Sequence, residues 1–259
     1  VLIDSHCHLN YPGLVEDVDA VLERARARGV GGMLNISTKH SEWDDVVGLA
    51  RHHPDVWASI GVHPHAAEDH LHVDVDLLRN AASQDRVVAI GETGLDYHYS
   101  HSSPAAQQSL FRRHITVARE LDLPLIIHTR DAEDDTVAML DEAAQDGPFA
   151  ALIHCFTGSI RFAEAVLERG LSISLSGIVT FRNARELQAV ARLVPEERLL
   201  VETDSPFLAP VPHRGKTCEP AYVRDTLERI AALRGVDAEV LENRTSANFF
   251  NLFKKAVLA

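Results

Sequence analysis

Eight short apolar runs rich in β-branched residues recur along the chain, and this recurrence restricts the possible folds more than any other feature. They are Val1–Ser5, Gly32–Ile36, Val56–Val62, Val87–Gly91, Leu125–His128, Ala151–His154, Leu171–Leu175 and Leu199–Glu202. Each has the length of a buried strand, and the longer stretches between them carry helical spacing, as in Leu110, His114, Ala118 and Leu121 or Val137, Leu140, Asp141 and Ala144. Glycine or proline marks most returns from helix to strand: Gly29 and Gly31, Pro54, Pro124, Gly147–Pro148, Gly170 and Pro195. Strand and helix in regular alternation imply parallel β-α units. Eight such units in 259 residues close most economically into a (β/α)8 barrel of the TIM type, with an open doubly wound sheet as the weaker alternative. No Gly/Ser-rich linker interrupts the pattern, so residues 1–259 are expected to form a single barrel domain. The tail Asp237–Leu258 is expected to add one or two C-terminal amphipathic helices, with the aromatic residues of Phe249–Phe253 in the core.

Composition narrows the function. Hydrophobic residues make up 46% of the chain and charged residues 24%, the balance of a globular protein. No apolar run approaches the roughly 20 residues that cross a bilayer, so no membrane association is expected. The first apolar segment is too short and too quickly polar for a signal peptide, which leads to an expected cytoplasmic location. A chain that begins at Val1 rather than Met is expected to have lost its initiator. Cys7, Cys155 and Cys218 are widely separated and odd in number, which argues for reduced thiols over a disulfide framework or a cysteine zinc site. A net charge of -13 opposes generic attraction to polyanions, so a phosphate-handling site needs local cations. The 15 histidines exceed what a structural role requires, although His52–His53 and His70/His72 read as surface residues.

In a barrel, chemistry gathers at the C-terminal ends of the strands. The first run ends in His6-Cys7-His8, and a strand period of two sends both imidazoles to one side. The third run delivers His63 and His65, the fourth Glu92, the fifth His128, the sixth His154, and the eighth Glu202 and Asp204. Imidazoles and carboxylates in this mixture suit one or two divalent ions, with magnesium, manganese and zinc all admissible. A pair of ions sharing a carboxylate suits hydrolysis. Glu92, on a middle strand, is the expected bridge; alternation puts Glu202 and Asp204 on the same side and does not choose between them, but Asp204 lies nearer the loop and is the preferred general base, with Glu202 as a partner that orients a ligand. Cys7 and Cys155, alternating with the histidines, are expected to point away towards the helix layer.

Six segments in order then carry a resemblance: Asp4-Ser5-His6-Cys7-His8, Gly61-Val62-His63-Pro64, Gly91-Glu92-Thr93-Gly94-Leu95-Asp96-Tyr97, Ile127-His128-Thr129-Arg130, His154-Cys155-Phe156-Thr157-Gly158 and Glu202-Thr203-Asp204-Ser205-Pro206. Together they resemble the TatD family of metal-dependent hydrolases, from Ile3 to about Phe253. The resemblance implies a TIM-type barrel, a divalent metal centre and deoxyribonuclease activity, often as a 3′ to 5′ exonuclease. It also implies that His6, His8, Glu92 and Asp204 hold one ion and Glu92, His128 and His154 the other, with Asp204 as base. Barrels bridged by a carboxylated lysine differ, because this chain has Glu92 at the fourth strand and no lysine at a strand end.

Substrate contacts are expected from Arg130 and from Arg214 and Lys216 in the loop after the eighth strand, whose charges suit phosphate oxygens. That loop departs from the family pattern, with Thr217-Cys218 before Glu219-Pro220. His63 is the candidate contact to the scissile phosphate or the departing oxygen. The leading expectation is hydrolysis of DNA or another phosphodiester at ends or single strands; no protein partner is predictable. Hydrolysis of a carboxylic ester, lactone or amide, such as an aminoacyl ester on RNA, is the alternative. A metal-binding barrel without turnover is the third reading.

Overall fold

All eight expected strands form in the computed structural model, which describes residues 1–258. They are β1 (Leu2–Cys7), β2 (Val30–Asn35), β3 (Val56–Ile60), β4 (Val87–Asp96), β5 (Leu125–Arg130), β6 (Ala151–Ile153), β7 (Ser172–Leu175) and β8 (Leu199–Val201). Every pairing is parallel, and spatial order follows chain order from β1 to β8. Between and after them run α1 (Val18–Ala27), α2 (Trp43–His52), α3 (Val75–Ala82), α4 (Pro104–Leu121), α5 (Glu133–Ala144), α6 (Ile160–Glu168), α7 (Arg185–Leu193), α8 (Val223–Arg234) and α9 (Ala238–Leu252). The result is a nearly closed TIM-type barrel. No helix among the described residues is long and apolar enough to cross a membrane.

The seam between β1 and β8 shares few ladder bonds, so side chains complete it. Backbone bonds run from Asp204 N to His6 O (2.9 Å) and from His8 N to Ser205 O (2.8 Å). Ser5 Oγ donates to Val201 O (3.0 Å), and the fully buried Asp4 accepts from Thr203 through its amide (2.9 Å) and its hydroxyl (2.6 Å). Burial pushes the Asp4 carboxyl up to about 8, against the pull of these donors. The seam is therefore a polar clasp placed directly beneath His6, His8 and Asp204.

Strand alternation divides the apolar residues into two cores. Leu125 and Ile127, Ala151 and Ile153, and Leu199 and Val201 face outwards to the helices. Ile126, Leu152 and Leu200 face inwards with Ile3, Leu34 and Trp57. The inner core is sealed at the N-terminal end of the barrel by α9, which inserts Phe249, while Phe253 just beyond the helix packs beside it. The tail thus contributes one helix beyond the eight that follow strands, and its aromatic residues are core, as expected from the sequence. Asp237 starts α9 by accepting from the amides of Glu239 and Val240, and Gly235, left-handed at φ 68°, ends α8 before it.

Two expectations need correction. The fourth strand runs on to Asp96 instead of ending at Gly91, because a register irregularity between Ile90 and Thr93 lets it continue past the two glycines. Glu92 therefore sits inside a strand. His53, read as a surface residue, is 7% exposed and lies at the end of α2, with burial lowering its pKa.

If α9 is the floor of the barrel, Phe249→Ala removes a fully buried ring from the inner core. It is expected to cost about 3–5 kcal/mol in denaturant unfolding; a loss below about 1 kcal/mol would show that the inner core does not rest on this helix.

Candidate metal centre

The inner face of the strands leads directly into the site. Two positions beyond the inward Ile126, Leu152 and Leu200 come His128, His154 and Glu202, so the period that buries the apolar residues also delivers the polar ones to the mouth. β1 and β4 reach it differently: each has a register irregularity at its site residues, between Asp4 and Cys7 around His6 and between Ile90 and Thr93 around Glu92. Close approach of the strands needs glycine. A Cβ on Gly61 would lie 2.4 Å from the Gly91 carbonyl carbon, and one on Gly94 would lie 2.1 Å from the His128 carbonyl oxygen.

Glu92 is the centre of the arrangement. One carboxylate oxygen, Oε2, lies 3.3 Å from His6 Nε2 and 3.9 Å from His8 Nε2, beside Asp204 Oδ1 at 3.5 and 3.3 Å from the same two nitrogens. The other, Oε1, lies 2.7 Å from His154 Nε2, 3.2 Å from His128 Nδ1 and 3.3 Å from His63 Nε2. The carboxylate thus faces one donor set with each oxygen. Both His6–His8–Glu92 and Glu92–His128–His154 are tight enough to hold an ion.

Hydrogen bonds at the back of the imidazoles set what their front atoms offer. His8 Nδ1–H donates to Ile36 O (3.2 Å), His128 Nε2–H to Asp96 Oδ2 (2.8 Å) and His154 Nδ1–H to Glu202 Oε1 (3.3 Å). Each therefore turns its second nitrogen inwards, as ligating histidines do. Glu202 is itself fixed by the Ser174 hydroxyl, and its place behind His154 is that of an orienting partner. His6 stacks on His154 at 3.9 Å, and its buried Nδ1 has no hydrogen-bond partner among the described residues.

The electrostatics call for positive charge. Glu92 is buried and Asp204 half-buried, yet both carboxyls are held below the usual range, because the surrounding imidazoles outweigh desolvation: His154, His63 and His128 for Glu92, and His8, His6 and His154 for Asp204. Burial opposes charge on His154 and His8, but Glu92 with Glu202 raises the first well above its ordinary value, and Asp204 with Glu92 raises the second. Inward lone pairs and carboxylate oxygens at such separations coexist only with protons or cations between them. The donor set fits divalent ions on this ground.

His63 differs from the others. Its Nδ1 accepts from the His65 amide (3.0 Å), so the neutral ring carries its hydrogen on Nε2, where it faces Glu92. Burial pushes its pKa down to about 4, and the ring is therefore a neutral donor at physiological pH. Behind it stands a residue that the sequence did not single out. The fully buried His114 of α4 donates from Nδ1 to Leu110 O (2.7 Å) and accepts from the Val62 amide at Nε2 (3.0 Å), which pins the end of β3 beside His63. Asp96 was also missed. It accepts from His65 and His128 (2.8 Å each) and from the His98 and Tyr99 amides. The signal was available: Asp96 is four residues beyond Glu92, on the same face of an extended strand.

The centre opens into a cavity of about 960 Å³. Arg130 lines it, with its guanidinium 5.1 Å from the Tyr99 ring, and so does Lys39, which follows β2 and was not anticipated. Arg214 and Lys216 do not line it: both are exposed, and Arg214 is turned onto the Phe181 ring at 4.1 Å. His70, read as a surface residue, is only half-exposed and lines the cavity. Cys7 points into the outer core as expected, but Cys155 does not. It lines the cavity, 3.3 Å from Ser176 Oγ, because β6 ends at Ile153 and Cys155 adopts a left-handed φ of 42°, which breaks the alternation. Asp204 is left-handed too, at φ 57°, a strained backbone at one of the donors.

Residues 3–254 match the family model described as TatD related DNase. A metal-dependent hydrolase named YcfH from Escherichia coli, uncharacterized, is 48% identical over 97% of this chain and 95% of its own length. A protein from Salmonella typhimurium named 3′-5′ ssDNA/RNA exonuclease TatD is 38% identical over 98% and 99%. Among solved structures, the TatD homologue YjjV from Escherichia coli superposes with a TM-score of 0.92 at 29% identity, covering 98% of each chain.

Burial also lowers the His114 pKa to about 4, and the folded state therefore prefers its neutral form. The resulting stability is complete above about pH 6.5 and is lost as pH falls towards 4, a change of roughly 3 kcal/mol. His114→Gln keeps an acceptor for Val62 but cannot titrate, so its unfolding midpoint should fall less than the parent's between pH 7 and pH 4. Parallel acid profiles would contradict this role.

Proposed function

The chain belongs to the TatD-related DNase family, a family of metal-dependent hydrolases, and from that membership we propose that it hydrolyses phosphodiester bonds at the ends of nucleic-acid strands. The observation that carries this reading is the division of Glu92, whose two oxygens face two separate donor sets. His6, His8, Glu92 and Asp204 would hold one divalent ion, and Glu92, His128 and His154 a second; magnesium, manganese and zinc all suit such a mixture. Bound there, ions of this kind supply a low-pKa water and draw off charge developing on phosphoryl oxygens.

The chain's own residues account for the rest. Asp204 is kept ionised by His8 and His6, so in a proton transfer it can only be the acceptor, here of the proton of the attacking water. His63 stays neutral and offers Nε2–H to a phosphate or departing oxygen. Arg130 and Lys39 would neutralise phosphate oxygens inside the cavity, and Arg214 and Lys216 those of a strand that continues past the loop. The acidic surface lacks the balance of charge that a long duplex track requires, which favours an end over the middle of a duplex. The name of the Salmonella relative supports a single-stranded substrate and 3′ to 5′ direction.

With metal supplied, the parent protein should shorten single-stranded oligonucleotides from the 3′ end, and His128→Ala and Asp204→Ala should each lower the rate by about a hundredfold or more. Chelation should stop the reaction. Equal rates for parent and both variants would refute the site, and faster turnover of carboxylic esters or lactones than of DNA would reassign the bond that is broken.

A further inference from the structure

Beside the centre, on the wall built by the loops after β1 and β8, two aromatic rings form a fixed corner. The Tyr11 ring stacks on His8, with centroids 4.6 Å apart and planes 22° apart. Its hydroxyl donates to Thr38 Oγ, which in turn donates to Glu42 (2.9 Å), so the ring cannot swing away. Phe207 stands almost perpendicular to Tyr11, at 6.1 Å and 84°, and its backbone is tied to the centre by Phe207 N donating to Asp204 O (3.0 Å). Both rings line the cavity, yet Phe207 remains 51% exposed. A phenyl ring this open has little to do for stability. Cations line the same cavity: Lys39, next to the Thr38 that holds Tyr11, and Arg130 from β5.

We infer that this corner is a stacking site for one unpaired nucleobase, with Phe207 as its platform, and that the protein takes single-stranded ends because a base must leave its stack to reach it. The inference rests on the phosphodiesterase reading above. A flat apolar ring beside the donors, with cations lining the same 960 Å³ cavity, fits a nucleotide unit, whose base is planar and whose phosphate is anionic. Stacking on a ring accepts any base, so the site selects for a free base and not for sequence. A duplex end keeps its base paired and stacked, and it therefore pays an unstacking cost before it can bind.

The test compares binding of three phosphorothioate-linked single-stranded hexanucleotides, which resist hydrolysis: one complete, one lacking the 3′-terminal base and one lacking the 5′-terminal base. Loss of the base at one end should weaken binding to the parent about tenfold, the size of a single base–aromatic stack. Phe207→Ala should erase that difference and Phe207→Trp should keep it. Equal binding of all three by the parent, no binding of any, or undiminished discrimination by Phe207→Ala would overturn the inference. Hydrolysis of DNA without base-dependent binding removes the stacking site but leaves the phosphodiesterase; discriminating binding without hydrolysis does the reverse.

Discussion

A buried carboxylate that shows a different oxygen to each of two groups of imidazoles is the constraint on which the rest of this structure depends. Glu92 could not sit 3% exposed among His6, His63, His128 and His154 unless opposite charge were close at hand. Nor could His8, His128 and His154 turn a lone pair inwards unless each of these rings were held in one tautomer. The backbone of Ile36 and the carboxylates of Asp96 and Glu202 supply that restraint from behind, and Ser174 restrains Glu202 in turn. The barrel's polar interior is thus two layers deep, and the outer layer fixes the protonation of the inner one.

The fold produces this arrangement by reusing its own period. Alternation that packs Ile126, Leu152 and Leu200 against the aromatic floor of Phe249 and Phe253 also lifts His128, His154 and Glu202 to the mouth. Stability and chemistry therefore share the same strands at opposite ends of the barrel. The seam between β1 and β8 joins the two, since Asp4 and Thr203 close the barrel one step below His6 and Asp204.

Much of this was legible in the sequence because apolar period and strand-end chemistry are local signals. Eight runs gave eight strands; His6, His8, Glu92, His128 and His154 do come together, with Asp204 beside His6 and His8. What escaped was set by irregular backbone or by distant partners. Asp96 was hidden because β4 was expected to stop at Gly91, and Cys155 was misplaced because a left-handed residue ended the alternation. His114 read as one position in a helical stripe, since nothing near it in sequence reveals that its acceptor is Val62. Lys39, Tyr11 and Phe207 lie in loops, where spacing carries no direction. Arg214 looked equivalent to Arg130 for the same reason, until the fold turned it onto Phe181.

We propose that Glu92 would be shared between two ions. Anomalous diffraction from crystals equilibrated with manganese tests it most directly. The account predicts two peaks about 3.5–4 Å apart, one on each side of the Glu92 carboxylate, the first beside His6, His8 and Asp204 and the second beside His128 and His154. A single peak, peaks remote from Glu92, or none at saturating manganese would contradict it.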